Sequence, residues 1–294
     1  MMLNLRAAAA ATALVIAISD SSTALAQKQG GILKMYIWDN PPSMSMLDGL
    51  NPLAARATMS VFNNLVMFDQ HVKQSRLSSI VPDLATGWSW SEDGTELTLP
   101  LRQSVKWHDG KPFTARDVQC TWDLVLDKSS DKLRVNTIKS WYRNLEGVTT
   151  NGDHEVTFHL KRPQPAFPML LASGFAPVYP CHVPAAQMRQ HPIGTGPFKF
   201  VEFKPNEYIK VTRNPDYWKK DRPYLDGIEY TIIKNMSTAT LAFISGKFDM
   251  TFPNTLTVPL WNDVQSQRQE RPPPTGRLSA PIGVWTARRL RRHE

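Results

Sequence analysis

The side chains able to do chemistry are few, and their spacing limits what that chemistry could be. His108-Asp109 sets an imidazole beside a carboxylate, the start of an acid/base or metal pair. It is a lone dipeptide inside a Gly-Lys-Pro turn, though, and a metal site needs three or four convergent ligands, so a structural role is predicted for it. The seven histidines contain no H-E-x-x-H and neither cysteine has a partner at zinc spacing. Gly194-Thr195-Gly196 is followed by proline, which removes a backbone donor that a phosphate cradle would need. G-x-S-x-G is absent, so no nucleophile elbow is indicated. Aromatic residues are the remaining signal: Tyr36, Trp38, Trp107, Trp141, Tyr142, Tyr179, Tyr217 and Trp218. Most of these are expected to pack in a core or hairpin, with a minority free to touch a ligand. No catalytic residue, metal or cofactor is expected.

The frame holding these groups follows from composition. With 294 residues, 41% hydrophobic and 20% charged, the chain is globular in character and long enough for one large domain or two ordinary ones. Its 23 prolines argue for many loops. The net charge of +8 is uneven: from Arg268 onward seven arginines stand against Glu270 and Glu294, so this stretch alone carries +5. A uniformly basic, nucleic-acid-binding surface is therefore not expected. Residues 1–26 read as a secretory signal, with Arg6, an apolar run over 7–18 and a small-residue end at Ala24-Leu25-Ala26, which predicts cleavage between Ala26 and Gln27. The apolar run is about a dozen residues, shorter than the roughly 20 of a spanning helix. In an oxidising compartment Cys120 and Cys181 could pair or could be two buried thiols, and the sequence leaves both open.

Taken in order, a strand is predicted over 32–38, stopped by Asp39-Asn40-Pro41-Pro42, and then a helix over 58–68 with Thr58 as N-cap. Residues 82–127 are the most patterned stretch. Trp88 and Trp90 alternate with serines, Asp93-Gly94 turns the chain, and Leu97, Leu99 and Leu101 alternate on the return strand. Pro100 inside that strand predicts an edge or bulge. Thr114 and Asp117 form a capping pair for a helix with Val118, Trp122, Val125 and Leu126 on its apolar stripe. Further strands are predicted over 155–160, 198–203, 207–212 and 228–233, with a short helix over 167–171 and another through Ile244 that has Ser237 as N-cap and is ended by Gly246. Residues 178–184 read as a crossover. Strands and helices mix without strict alternation, which indicates a mixed α/β (α+β) fold with more than one sheet. After Lys247 lysine disappears, and from 268 hydrophobic periodicity is lost.

Several motifs in fixed order carry a family resemblance: GGIL at 30–33, PDLATGWSWSEDGTELTLPLRQSVKWHDGKPFTARDV from Pro82, IGTGPFKF at 193–200, NPDYWKKDRPYLDGIEY at 214–230 and FISGKFDM at 243–250. The chain resembles the extracytoplasmic solute-binding proteins of peptide- and nickel-type ABC transporters. That resemblance implies one lobe of a type II periplasmic-binding-protein fold. Its outer part would comprise residues 28–52 plus 178–262, with an inserted subdomain over 53–177. It also implies a second lobe that is missing here, with 268–294 as an aberrant, frameshifted tail and ligand capture impaired. Solute contacts are expected from Trp38, Asp39, Asn40 and Tyr179. The expected partners are a peptide or similar small solute and the membrane permease, met in the periplasm by a monomer and without nucleic acid. The other readings are a secreted hydrolase, for which no nucleophile with a base is visible, and a basic-tailed interaction protein.

Overall fold

The computed structural model describes residues 30–252 and Asn262. The expected signal segment, with its Ala26–Gln27 cleavage point, and the 268–294 tail lie outside the described residues. In chain order the elements are β1 (Ile32–Ile37), α1 (Pro52–Thr58), β2 (Val66–Phe68), β3 (Ile80–Pro82), β4 (Ser89–Trp90), β5 (Glu96–Pro100), α2 (Ala115–Val125), β6 (Leu145–Thr150), β7 (Glu155–Leu160), α3 (Phe167–Leu171), α4 (Ala185–Met188), β8 (Phe198–Lys204), β9 (Tyr208–Arg213), β10 (Gly227–Ile232) and α5 (Met236–Ile244).

Two four-stranded sheets organise them. The first has the order β1-β10-β9-β8, with β1 and β10 parallel and the other pairs antiparallel. A parallel neighbour cannot be reached by a tight turn, so the whole stretch between Ile37 and Gly227 is in effect one long crossover. The second sheet, β4-β5-β7-β6, is antiparallel throughout. It draws all its strands from within 53–177, and the first sheet draws its strands from outside that range.

The second sheet packs its inner face on α2. In β7 the alternation is literal: Val156, Phe158 and Leu160 are buried, while Glu155, Thr157 and His159 are half-exposed. Helix α2 starts where Thr114 N donates to the Asp117 carboxylate at 2.9 Å. It then buries Val118, Trp122 and Val125. The Trp122 ring meets Phe158 edge-on at 4.9 Å and Tyr142 at 6.0 Å, and Phe158 leans on Phe167 of α3 at 5.7 Å. Such aromatic pairs add roughly 0.5–1.5 kcal/mol each beyond area burial. Pro100 sits in an interior strand, yet its carbonyl accepts from Thr86 N on the β4 side. Its missing donor therefore falls beyond the end of two-residue β4, and the ladder loses nothing.

Two expectations are corrected. Residues 58–68 are not one helix: α1 ends at Thr58, a single 3₁₀ turn covers Met59–Val61, and the chain then extends into β2. Asn51 is the cap, its side chain accepting from Leu53 N at 2.9 Å and Ala54 N at 3.2 Å, with Pro52 in the first turn where its lack of a donor costs nothing. The apolar spacing over 61–68 fits either period, and pairing of Val66 with Pro82 and Phe68 with Ile80 decides for a strand. Helix α5 starts two residues earlier than expected, because Asn235 rather than Ser237 caps it by accepting from Thr238 N at 2.9 Å. Its end is as expected: Gly246 at φ +82 lets Gly246 N reach Phe243 O and Lys247 N reach Ala242 O, a Schellman closure.

Cys120 on α2 and Cys181 in the 178–184 segment are joined by a disulfide with a Cα–Cα distance of 5.5 Å. Cys181 is exposed and Cys120 half-buried, so neither is the buried thiol of the alternative reading. One apolar cluster runs continuously from Met35 and Ile37 through Val61, Leu65 and Leu84 to Leu97, Leu99 and Phe158, so the two sheets share a core. A smaller cluster of Tyr36, Ala239, Phe243 and Phe248 holds α5 against the first sheet.

Candidate functional site

Strands β1 and β10 end in register, Ile37 opposite Ile232. Their parallel pairing therefore delivers Trp38-Asp39-Asn40 and Ile233-Lys234 to the same end of the sheet, the carboxyl end, where ligands of open α/β sheets gather. Asn235 then turns the chain into α5. From the last turn of α1, Arg56 reaches into the same place. Its guanidinium lies 4.2 Å from the Trp38 ring and 4.4 Å from the Phe252 ring, stacked between two aromatics. Burial there pushes the Arg56 pKa below its ordinary value. Asp39 stands 3.7 Å from Lys234, with both side chains more than half exposed (54% and 62%), so this pair adds little stability and remains available to solvent.

The four residues expected to contact solute divide into two groups. Trp38 and Asp39 lie at the rim just described. Asn40 is beside them, but its amide is occupied: it donates to Asn206 Oδ1 at 2.8 Å and accepts from Asn206 N at 2.7 Å, clasping the β8–β9 turn. Tyr179 is only 3% exposed. Its hydroxyl accepts from Met46 N at 2.8 Å and Leu47 N at 3.2 Å and shares a hydrogen bond with Ser45 Oγ at 3.0 Å, while its ring stacks on Phe62 at 5.1 Å. Burial lifts its pKa to about 12. Tyr179 thus shapes the loop between β1 and α1 from inside. Arg56 and Phe252 were missed in the sequence, because no local pattern marks a guanidinium that becomes stacked only after folding.

The His108-Asp109 turn is structural. His108 N donates to Gly194 O at 2.9 Å, Gly194 N donates to His108 Nδ1 at 3.3 Å, and His108 Nε2 meets Gly196 O at 3.0 Å. The acceptor at Nε2 and the donor at Nδ1 specify the neutral tautomer with the proton on Nε2. Burial, helped by Lys199, lowers the His108 pKa to about 4. The unfolded imidazole titrates near 6.5. Between those values the unfolded chain takes up a proton that the folded chain refuses. The clamp's contribution is therefore complete above about pH 6.5 and is lost as pH falls toward 4, by roughly 3 kcal/mol in total. Urea denaturation from pH 7 to pH 4.5 should show this loss in the wild type and a shallower slope in His108→Gln. Equal slopes would remove the argument.

The same Gly-Thr-Gly turn is pressed onto backbone: Gly196 N donates to Val61 O at 2.9 Å, and a Cβ on Gly194 would stand 1.9 Å from that oxygen. Asp83, of the PDLATGW motif, joins the NPDYWK motif across the fold. Its 4%-exposed carboxylate accepts from Lys219 Nζ at 2.6 Å, Asn63 Nδ2 at 2.9 Å and Asn64 N at 3.2 Å. Arg102 donates to the Asp83 carbonyl at 2.7 Å and lies 4.7 Å from the Trp218 ring. Motifs that stand far apart along the chain thus meet in space as turn-to-turn fasteners.

Among the described residues no group of three or more His, Cys, Asp or Glu could hold a metal ion, and no helix is long and apolar enough to cross a membrane. The fold matches that of the oligopeptide-binding protein AppA of Bacillus subtilis, solved with a nonapeptide, at a TM-score of 0.69 and 27% identity over 81% of this chain and 46% of that one. It also matches NikZ of Campylobacter jejuni, solved with Ni(L-His), at a TM-score of 0.66 and 25% identity over 80% of this chain and 45% of that one. In sequence, the chain is 29% identical over 271 residues to the periplasmic murein peptide-binding protein MppA of Escherichia coli, covering 84% of this chain and 48% of the relative. It is 36% identical over 173 residues to B. subtilis AppA, covering 55% of this chain and 30% of the relative. The chain thus spans less than half the length of these relatives. The family model described as bacterial extracellular solute-binding proteins, family 5 Middle, matches residues 79–280. A match over that share of the chain, on a lobe of type II periplasmic-binding-protein architecture, places the protein among the bacterial extracellular solute-binding proteins of family 5.

Proposed function

We propose that this protein captures peptides or related small solutes outside the cytoplasm and hands them to the permease of an ABC importer. The observation that carries the reading is the family match across residues 79–280, and the rim at the carboxyl end of the β1/β10 pair supplies chemistry that suits it. The Trp38 face and the stacked Arg56 guanidinium would hold a planar or anionic group, and Asp39 a cationic one, as a zwitterionic peptide presents. Asn40 would act by fixing the neighbouring hairpin. Capture needs no bond making, which agrees with a solute-binding rather than a catalytic family. The protein would work as a monomer in the periplasm, exported by residues 1–26 with cleavage after Ala26, and with no nucleic-acid partner. Residues 28–52 with 178–262 would form the outer part of the lobe and 53–177 its inserted subdomain.

Calorimetric titration of the full chain with a pool of short peptides should give weak but saturable heat, in keeping with the impaired capture expected of this chain. Trp38→Ala should weaken it by about tenfold, the loss of one well-placed aromatic contact. A chain that binds no peptide, or a Trp38→Ala variant that binds as well as wild type, would refute the assignment of this rim.

A further inference from the structure

Away from that rim, an open pocket of about 430 Å³ is lined by Lys111, Pro112, Thr114, Arg116, Asp117, Cys181 and His182. Half of a disulfide, Cys181, thus stands in the wall of a pocket lined by charged residues. We propose that Cys181 is a thiol-exchange site for small anionic thiols, which open the Cys120–Cys181 bond by forming a mixed disulfide on Cys181.

Access selects the sulfur. Cys181 is exposed and lines the pocket, whereas Cys120 is half-buried in the middle of α2. Which sulfur is attacked depends on approach as well as on leaving-group character. Charge selects the thiol. Among the described residues Arg116 forms no ion pair, and it leaves a positive charge at the wall. Lys111 stands 4.0 Å from Asp109, whose carboxylate is already held by His182 at 2.7 Å. The remaining carboxylate, Asp117, is turned inward: it accepts from Thr114 N at 2.9 Å, Trp107 Nε1 at 3.2 Å and Cys181 N at 2.8 Å.

The exchange balances without an added oxidant. The thiolate sulfur attacks Cys181 Sγ, and a new S–S bond forms there. The Cys120–Cys181 bond breaks, its electron pair leaves on Cys120 Sγ, and water protonates that thiolate. One disulfide replaces another, and the reverse attack by Cys120 restores the original. Opening is local, because α2 keeps two other holds on the 178–184 segment: Cys181 N on the Asp117 carboxylate, and Thr121 Oγ1, which accepts from Tyr179 N at 2.9 Å and lies 3.3 Å from Tyr179 O.

The test treats the full chain with reduced glutathione, cysteamine or 2-mercaptoethanol, quenches with an alkylating agent and maps the adducts by mass spectrometry. The expected result is a glutathione adduct on Cys181 with Cys120 alkylated. Corrected for thiolate fraction, its rate should be about tenfold above cysteamine, falling to near parity in Arg116→Gln and in about 1 M salt, where the field is screened. Arg116 is an exposed first-turn residue of α2, so that variant keeps its fold, and a thermal melt checks it. Equal rates for the anionic and cationic thiols, an adduct on Cys120, or exchange only at denaturant concentrations that unfold the chain would each overturn the proposal.

Discussion

Gly194→Ala is expected to unfold this protein or to cost more than about 4 kcal/mol in a urea titration, beyond the range of ordinary substitutions. The added Cβ would lie 1.9 Å from Val61 O, 2.7 Å from Val61 C and 3.0 Å from the Phe62 ring. Two of these atoms are backbone, and the segment carrying them is pinned by Gly196 N on Val61 O, so no rotamer change relieves the overlap. Moving the turn instead would break the three His108 hydrogen bonds that hold it. Gly110→Ala makes the control. Gly110 has φ +89 but nothing within 4 Å of its would-be Cβ, so only backbone strain of about 1 kcal/mol is expected there. Similar losses in the two variants would show that close approach is not what glycine provides at position 194.

Asp83→Ala should cost about 3–5 kcal/mol, because removing one partner of a buried pair leaves the other uncompensated. Lys219 Nζ and Asn64 N lose the Asp83 carboxylate, and Asn63 Nδ2 is left with only the longer bond to the Tyr217 hydroxyl at 3.3 Å. Lys219 is 34% exposed and can recover part of its hydration, so Lys219→Ala should be milder. The double variant should reveal a coupling of about 1–3 kcal/mol. Additive losses would mean that the short Lys219–Asp83 contact contributes nothing beyond its separate ends.

Most secondary structure was legible because its signals are local. The Thr114–Asp117 cap, the Asp93-Gly94 turn and the alternation of β5 and β7 each lie within a few residues and appear where they are expected. The 58–68 segment misleads because its apolar spacing suits a helix and a strand equally, and only β3, reached twelve residues after Phe68 at Ile80, settles the matter. The solute residues were harder. Trp38 and Asp39 could be named from the end of a strand, but Tyr179 is turned inward, and Arg56 and Phe252 join Trp38 only through tertiary contact.

By itself the sequence determined the family, the mixed α/β class and the ends of most elements, since motifs, caps and turns are encoded by neighbours along the chain. The tertiary structure decided that β1 pairs parallel with β10 across the whole intervening stretch and that the structural role of His108 is to clamp the Gly194–Gly196 turn. It also decided that Cys120 and Cys181 pair. Each of these depends on distance through space, and chain entropy lets residues 61 or 195 positions apart meet only when a shared core has already drawn them together.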